Sequence, residues 1–418
     1  MIRVDLLVTG LAQVATLSLG PTPRTGESMA ELGLIENAAV GVDRGRFVFV
    51  GKARQAMHEV RVRSTGHTLD AGRRVALPGF VDAHTHLLFA GDRSGEVALK
   101  IRGKTYREIA EGGGGLYSTV RATRAARANG LRRAALDRLR RIVAWGTTSV
   151  EVKSGYALDH AGELRLLGLV PRLVRDSGMQ LTATYLGAHA VPPEFVGRAD
   201  DYVEEIVRRT LPEVARRGLA LFCDVFCEPG FFSVEQASRI LRAALSLGLG
   251  VKVHAEEFEW SGGAQLASQL RARSAEHLLR ATTEDRSSLA SARVTAVLLP
   301  VTPFASMSAT RALGREMVDA GVPVALGSDL SPNSWVEGMP IVLAHAVYGG
   351  RLTPEEAITA ATLNAAHASG LADSAGTIAV GRPADFALYD VPSVEHIPYR
   401  IGVHPSVVYR QGNPISSR

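Results

Sequence analysis

The sequence predicts an α/β protein: a (β/α)8 barrel with a small β-sandwich domain built from both ends of the chain. From Pro78 onward, apolar β-branched runs alternate with segments of helical period, which is typical of βα units. Residues 1–75 and the segment after residue 372 instead resemble strands separated by glycine-containing turns. A chain of 418 residues, of which 46% are hydrophobic, is long enough for one large core and a smaller second one.

The two ends of the chain share a β-like composition. The first segment, "RVDLLVTGLAQVATL", predicts two short strands, and "AAVGVDRGRFVFVGKA" and "HTLDAGRRVALP" predict more. Residues 375–391 and 405–415 have the same character. Because chain ends tend to lie close together, we expect residues 1–75 and 373–418 to form one domain beside the barrel.

Eight apolar runs within residues 76–372 predict the strands of the barrel. They cover residues 79–89, 147–155, 181–190, 220–230, 250–258, 272–279, 294–300 and 322–331. Helical segments lie between most of them, and residues 162–178 predict a helix with a kink at Pro171. After the last strand, residues 353–371 predict a helix with Thr353 as N-cap and Glu356 completing a capping box. Eight units over about 250 residues favour a closed barrel over an open sheet.

The charge pattern argues against a nucleic-acid partner. The 47 Lys and Arg against 42 Asp and Glu give a net charge of +5, and the arginines are spread widely, which indicates at most a preference for small anions. In the arginine-dense segment "LRRAALDRLRRIVAWG" (131–146), the apolar residues recur at helical spacing. We therefore interpret its arginines as the solvent-facing side of an amphipathic helix, the alternative being a polyanion site.

The sequence also predicts a cytoplasmic protein without a membrane segment. No uninterrupted apolar run reaches the ~18 residues of a membrane helix. Arg3 and Asp5 interrupt the apolar N-terminus, so we expect no signal peptide. The two cysteines, Cys223 and Cys227, lie in a strand-like run and are expected in the core, which leaves no disulfide framework.

A set of histidines and one aspartate predicts a metal site. His84 and His86, in "FVDAHTHLLFAGDR", point to the same side of a strand because side chains alternate along it. His254, His277 and Asp329 fall near the ends of the fifth, sixth and eighth predicted strands, where barrel enzymes build their active sites. A single histidine in an apolar strand is more often a hydrogen-bonded core residue, but four histidines and an aspartate on one rim favour a metal.

Longer motifs around these residues resemble the imidazolonepropionase family of the amidohydrolase superfamily. They include "PGFVDAHTHLLFAGDR", "GGGGLYSTVRATR", "TTSVEVKSGYALD", "TYLGAHAVPPEF" and "VHAEEF", and the resemblance spans nearly the whole chain. It implies one divalent metal, Zn²⁺ or iron (Fe²⁺ or Fe³⁺), with four ligands: His84, His86, His254 and Asp329. Lys153 and Glu228 leave open a second metal, since some relatives bridge two metals with a carboxylated lysine or a glutamate.

The resemblance also implies a reaction and roles for the residues around the metal. Metal-activated water would attack the ring carbonyl of 4-imidazolone-5-propanoate and yield N-formimidoyl-L-glutamate. Asp329 would take the proton of the water and deliver it to the departing ring nitrogen. His277 would polarise the carbonyl or stabilise the oxyanion. Glu257 would bind the ring or the water, the alternative being a salt-bridged loop acid.

The propionate of that substrate calls for a cation, and the sequence offers Arg93 just past the first strand. Its alternative is a surface arginine. Tyr156 and His189 resemble the substrate-contacting pair of the family, and Tyr106 is either a further contact or a packing residue. After Asp329 the family has Asn and Gly where this chain has Ser331 and Asn333, followed by Ser334. These three residues would contact the amino-acid-like end of the ligand, so the departure concerns fine specificity.

Two rival functions remain open at this point. One is a deaminase or cyclic amidase of the same superfamily that acts on another nitrogen heterocycle; the arginine disfavours it, because a neutral ring needs no carboxylate clamp. The other is a non-catalytic assembly scaffold, which the intact ligand set disfavours. A homodimer is an expectation of the resemblance alone.

Overall fold

A computed structural model describes residues 1–104, 108–109 and 112–415 of the chain. Two eight-stranded sheets organise the described residues. In chain order the strands are β1 Ile2–Ala15, β2 Leu34–Asp43, β3 Arg46–Lys52, β4 Val60–Asp70, β5 Val75–Pro78, β6 Phe80–Asp82, β7 Thr147–Lys153, β8 Gln180–Ala188, β9 Phe222–Cys227, β10 Gly250–Ala255, β11 Ser274–His277, β12 Thr295–Leu298, β13 Val324–Leu326, β14 Phe386–Tyr389, β15 Val407–Arg410 and β16 Asn413–Ile415.

The helices follow the same order and mostly connect the barrel strands. The α-helices are Ala53–Glu59, Val97–Ile101, Gly115–Ala125, Ala128–Ala144, His160–Leu167, Val170–Ser177, Ala199–Glu205, Leu211–Arg216, Val234–Ser246, Gly263–Gln269, Thr283–Ala292, Val301–Ala305, Gly314–Asp319, Met339–Tyr348, Pro354–Ala360, Leu363–Ala368 and His396–Tyr399. Among the described residues, none of these helices has the length and apolar character needed to cross a membrane.

Strands β6 to β13 form the predicted barrel. They are all parallel and pair in sequence order from β6 to β13. The barrel closes just beyond the strand ends, where the Asp329 amide donates to the His84 carbonyl at 3.0 Å and the His86 amide donates to the Leu330 carbonyl at 2.9 Å. The prediction of a (β/α)8 barrel is therefore confirmed, although each strand ends before the predicted run does. The extra residues form the loops at the carboxyl end.

The remaining strands form the small domain predicted from both chain ends. They make one sheet in the order β16-β15-β14-β5-β1-β2-β3, with β4 also paired to β1. The sheet curls on itself, since Phe47 on the edge strand β3 contacts Phe386 on β14, near the other side of the sheet, with ring centroids 5.6 Å apart. The second domain is confirmed, while the division of the chain after residues 75 and 372 stays a prediction.

Three local expectations differ from the structure. The predicted pair of N-terminal strands is one strand, β1, with a bulge between Val8 and Leu11 where Gly10 takes a φ of 66°. The predicted kink at Pro171 is a break before it, because one helix ends at Leu167 and the next begins at Val170, with the proline in its first turn. The arginines of 131–146 do not all face solvent, since Arg138 is 4% exposed.

The capping box at Thr353 and Glu356 is confirmed. The Glu356 amide donates to Thr353 Oγ1 at 3.2 Å, and the Thr353 amide donates to Glu356 Oε2 at 2.7 Å. The helix that follows ends at Ala360, and a second one covers Leu363–Ala368.

The closure of the barrel depends on a glycine beside the first metal-ligand candidate. A Cβ added to Gly327 would lie 2.7 Å from the Cβ of His84 and 2.9 Å from its backbone nitrogen. We expect Gly327→Ala to lower the free energy of unfolding by about 1–3 kcal/mol, because the first and eighth strands must separate to admit the methyl group. Urea denaturation measures this change.

The matched control is Gly130→Ala in the helix Ala128–Ala144, where an added Cβ meets nothing within 4 Å. This variant should be neutral or more stable by up to about 1 kcal/mol. Equal stabilities of the two variants would contradict the tight closure at Gly327.

Candidate metal centre and active site

Three side chains from the first and eighth barrel strands meet at one point. The Nε2 atoms of His84 and His86 are 3.3 Å apart, and Asp329 Oδ1 lies 3.6 Å from the first and 3.4 Å from the second. A tetrahedral metal with bonds of about 2.1 Å has ligand atoms about 3.4 Å apart. The three atoms therefore have the mutual spacing of ligands on one metal ion.

His254 and His277 complete this cluster from the fifth and sixth strands. The ring of His254 lies 4.6 Å from that of His84, and the ring of His277 lies 5.5 Å from it, centroid to centroid. His254 Nε2 is buried without a hydrogen-bond partner among the described residues. A buried nitrogen left unpaired is costly unless it coordinates a cation, so the histidine and aspartate donors fit a divalent metal.

Buried carboxylates lie beside two of the candidate ligands, His84 and His254. His84 Nδ1 lies 2.6 Å from Glu276 Oε2, and His254 Nδ1 lies 2.9 Å from Asp224 Oδ2. A carboxylate this close to Nδ1 favours the proton on that nitrogen and so leaves the Nε2 lone pair for a metal. Burial lowers the pKa of His84 and His86 well below the usual value, so both rings are neutral at physiological pH, as metal ligands must be.

A layer of five fully buried charged residues lies beneath the ligands, and we call it the charge layer. It contains Glu151, Lys153, Asp224, Lys252 and Glu276. Lys153 Nζ lies 3.0, 2.7 and 2.8 Å from Glu151, Asp224 and Glu276. Burial alone would raise the pKa of Glu276, but the lysine charges outweigh it and hold that pKa well below its usual range. In their ionised forms these carboxylates outnumber the lysines, and Asp329 adds another negative charge above them.

Lys153 and Glu228, the two candidates for bridging a second metal, both have other partners. Burial opposes the ammonium form of Lys153, but its three carboxylate neighbours outweigh that effect and raise its pKa well above the usual value, which favours an ammonium over a carboxylated lysine. Glu228 accepts hydrogen bonds from the amides of Glu257, Phe258 and Glu259 at 3.1, 3.0 and 2.6 Å. It therefore organises the loop after β10.

The predicted substrate contacts mostly line one cavity above the metal cluster. Its lining includes Arg93, Tyr156, His189, Glu257, Ser331 and Asn333, together with His86, His254, His277 and Asp329. Ser334 is fully buried and lies outside the lining; its amide donates to Ser331 Oγ at 3.2 Å. Tyr106 lies outside the described residues.

A fixed arginine and a neutral histidine face this cavity. Arg93 is 8% exposed, and its Nε and Nη2 lie 2.8 and 2.7 Å from Glu96 Oε2. Glu96 is itself fixed, because its Oε1 accepts from the Gly115 amide at 2.7 Å. His189 Nδ1 pairs with the Gly155 carbonyl at 3.0 Å, and burial lowers its pKa to about 3, so its Nε2 is an acceptor.

Two acids next to the metal cluster have raised pKa values. Burial raises the pKa of Asp329 to about 6, although Thr302 Oγ1 donates to its Oδ2 at 2.9 Å and works against the shift. Burial and the nearby charge of Asp329 raise the pKa of Glu257 well above the usual value. Glu257 Oε2 lies 3.5 Å from His277 Nε2. The site thus contains two carboxyl groups whose pKa values are raised above the usual range, as is common for groups that take part in proton transfer.

Two of the cluster residues have left-handed backbone conformations. His277 has a φ of 69° and Asp329 a φ of 51°. For a residue with a Cβ this conformation costs roughly 1–2 kcal/mol, and it occurs mostly where function requires a particular side-chain direction. Here it turns both side chains towards the metal cluster at the ends of their strands.

The sequence analysis missed Thr302, Asp82 and every member of the charge layer except Lys153. A signal for two of these residues was present. Lys252, in the layer, lies two residues before His254, and Asp82, outside the layer, lies two residues before His84, so each shares the inward face of a strand with a candidate ligand. Asp82 accepts from the Ser328 amide at 2.8 Å and so helps to close the barrel. No local signal points to Thr302, which reaches Asp329 from the short helix Val301–Ala305 after β12.

Comparison with known proteins gives consistent matches. Residues 75–414 match the model of the amidohydrolase family. The chain is 45% identical over 402 residues to the imidazolonepropionase of Symbiobacterium thermophilum, which covers 96% of this chain and 94% of that protein. It is 40% identical over 419 residues to the imidazolonepropionase of Bacillus velezensis, with 100% and 98% covered.

Solved structures with similar folds are more distant in sequence. An adenosine deaminase from Xanthomonas campestris with bound zinc matches with a TM-score of 0.70 and 17% identity, covering 99% of this chain and 93% of that one. Atrazine chlorohydrolase from Arthrobacter aurescens TC1, complexed with zinc, matches with a TM-score of 0.67 and 19% identity, covering 98% and 94%. At these identities the likeness shows the fold alone.

Removing the metal should destabilise the protein. A ligand at about 100 times its dissociation constant stabilises the folded state by about 2.7 kcal/mol, so dialysis against a strong chelator should lower Tm, and added Zn²⁺ or Fe²⁺ should restore it. His254→Ala should bind little metal and show no such recovery. Calorimetry and elemental analysis measure both effects.

His58→Ala is the matched control, because His58 is an exposed histidine on the helix Ala53–Glu59. It should keep the full metal content and the full recovery of Tm. A chelator-treated wild type as stable as the metal-loaded protein would contradict a metal at this site.

Proposed function

The chain belongs to the imidazolonepropionase family of amidohydrolases, and on that premise we propose that it hydrolyses the ring amide of 4-imidazolone-5-propanoate to N-formimidoyl-L-glutamate in histidine degradation. Family membership confirms the resemblance that its motifs indicate and identifies the chain as a hydrolase of a cyclic amide C–N bond. The observation that carries the proposed substrate is that a fixed arginine, Arg93, lines the same cavity as the metal donors. A heterocycle with an acid tail can therefore engage both at once.

We propose one resident metal ion, either zinc or iron, held by His84, His86, His254 and Asp329. When bound, such an ion supplies Lewis acidity that lowers the pKa of a coordinated water to about 7 and polarises a carbonyl. The ion pairs of Lys153 support a single metal, because they fill the position of a bridging ligand with a cation.

In the proposed mechanism, carboxyl groups of this chain move the protons. Asp329 takes the proton of the water that attacks the ring carbonyl and returns it to the ring nitrogen as the C–N bond breaks. The hydrogen bond that Thr302 Oγ1 donates to Oδ2 fixes the second carboxylate oxygen of Asp329. His277 stabilises the developing oxyanion. Glu257, whose Oε2 lies 3.5 Å from His277 Nε2, orients His277 and also contacts the substrate ring.

In the same proposal, the loops around the cavity bind the substrate. Arg93 binds the propionate, oriented by Glu96. Tyr156 and His189 contact the ring, and Tyr106 remains a predicted contact. Ser331 and Asn333 border the cavity near the acid end, with Ser334 supporting Ser331 through its amide.

The cytoplasmic location and the homodimer belong to this proposal as well. The location is supported by two buried cysteines, Cys223 and Cys227, which are unpaired in the described structure. The dimer rests on the family resemblance alone.

A substrate panel tests the proposed function. The metal-loaded protein should turn over 4-imidazolone-5-propanoate far faster than guanine, cytosine or hydantoin, since only the first has a carboxylate for Arg93. Loss of the imidazolone absorbance and chromatographic detection of the formimidoyl product measure the reaction. The assignment would be overturned if the protein turned over another heterocycle and left 4-imidazolone-5-propanoate unchanged.

The arginine clamp makes a separate prediction. Arg93→Ala should keep its metal but raise KM about 10- to 100-fold, because a charge-assisted hydrogen bond contributes about 1.5–3 kcal/mol. An imidazolone with a neutral amide tail should bind wild type and variant equally weakly. Lys104→Ala, which removes an exposed cation paired with Glu108, is the matched control and should leave KM unchanged. If Arg93→Ala prefers the acid tail over the amide tail as strongly as wild type does, Arg93 does not bind the propionate.

A further inference from the structure

One buried arginine on the helix Ala128–Ala144 contacts the loop that follows the first barrel strand. Arg138 is 4% exposed, and its Nη1 donates to the carbonyl oxygens of Leu87 and Phe89 at 2.8 and 3.1 Å. Its guanidinium carbon lies 3.5 Å from the centroid of the Phe89 ring. The backbone of this loop is therefore fixed between its metal-ligand end at His86 and its substrate end at Arg93.

The same guanidinium also contacts the loop that follows the eighth strand. It lies 5.2 Å from the ring of Trp335, which meets Phe89 edge to face at 5.2 Å and 88°. Trp335 Nε1 donates to Glu337 Oε1 at 2.9 Å, and Arg141, one turn along the helix, pairs with both oxygens of Glu337 at 2.9 and 2.8 Å. Two arginines of one helix thus hold both loops.

These contacts continue to the substrate cavity. Phe89 meets the ring of Tyr156 edge to face at 6.3 Å and 78°, and Tyr156 lines the cavity. The first loop ends at Arg93, and the second begins with Ser331 and Asn333, which also line the cavity. A shift of Phe89 or Trp335 would therefore move groups on three sides of the acid end of the site.

We propose that Arg138 is a positioning residue that sets the affinity for the acid tail of the substrate by holding the Phe89 and Trp335 loops in register. This inference rests on the proposed function. Arg138 does not line the cavity and touches no reacting group, so it acts through Phe89, Trp335 and Arg93.

A buried packing arginine alone would not need this arrangement. Arg138 has two backbone carbonyls and two aromatic faces around it, while its Nε has no hydrogen-bond partner among the described residues. Burying a cation in this way is costly compared with an apolar side chain of similar volume. The planar guanidinium is what can bond two carbonyls and stack on an aromatic ring together.

The test compares Arg138→Met with Arg133→Met, an exposed arginine on the same helix. Arg138→Met should keep one metal per chain and a kcat near that of wild type, and raise KM about tenfold, since the lost contacts affect substrate binding. Arg133→Met should match wild type. A structural role alone would lower the active fraction, and thus kcat, with KM unchanged, and that outcome would overturn the proposal.

Hydrogen exchange gives a readout that needs no substrate. Amides of residues 87–93 and 331–337 should exchange faster in Arg138→Met than in Arg133→Met, while those of the barrel strands should not change. Unchanged exchange in both loops would overturn the inference whatever the kinetics. If these loop amides exchange faster in Arg138→Met but the wild-type protein does not hydrolyse the imidazolone, the result contradicts the proposed function and leaves the positioning role of Arg138 standing.

Trp335→Leu provides a second variant if Arg138→Met fails to fold. This variant keeps Arg138 and removes the indole ring that its guanidinium contacts, so KM should again rise. When both variants fold, KM of the double variant should be about equal to the larger of the two single-variant KM values, because both substitutions disrupt the same network of contacts. Independent, fully additive effects, or a normal KM in Trp335→Leu, would contradict the proposed network.

Discussion

The rest of the site depends on the excess of negative charge inside the barrel. Lys153 lies within 3.0 Å of three carboxylates in a fully buried layer, and Asp329 adds a further carboxyl group above it. Two lysines do not balance these groups, and unbalanced buried charge is costly. In the proposed site, a divalent cation at the histidine cluster supplies the missing charge. Two of the same carboxylates, Glu276 and Asp224, lie 2.6 and 2.9 Å from Nδ1 of His84 and His254, so the excess charge and the orientation of these rings have one origin.

Closure of the barrel turns distant residues into neighbours. His84 and Asp329 are 245 positions apart in the sequence, yet the Asp329 amide donates to the His84 carbonyl at 3.0 Å. The absence of a side chain at Gly327 allows this approach, and left-handed conformations at His277 and Asp329 direct their side chains to the metal cluster. The free-energy cost of these two backbone conformations is small compared with the interactions that the redirected side chains make. Both residues lie in the site where the chemistry is proposed.

The loops around the substrate cavity are held in place by a second set of contacts. Asn333, where the resemblance leads one to expect glycine, accepts from Lys100 Nζ at 2.9 Å and donates to Ser306 Oγ at 3.3 Å. It thereby joins the loops after the first, seventh and eighth strands. Arg138 and Arg141 hold two of these loops from the outside. In the proposed function, the charge layer inside the barrel orients the metal ligands, whereas the surrounding loops set the fit of the acid tail.

Sequence periodicity alone determined the eight barrel strands and the inward direction of His84 and His86, because side-chain alternation is a local property of a strand. Motif resemblance then indicated the family and the candidate ligands. Alternation could also have revealed Lys252 and Asp82, which share a face with ligands. Only the tertiary structure decided that Arg138 is buried, that Thr302 reaches Asp329, and that Lys153 is surrounded by three acids. Those facts depend on which loops and strands become neighbours when the barrel closes, and no local pattern encodes contacts between residues so far apart in the chain.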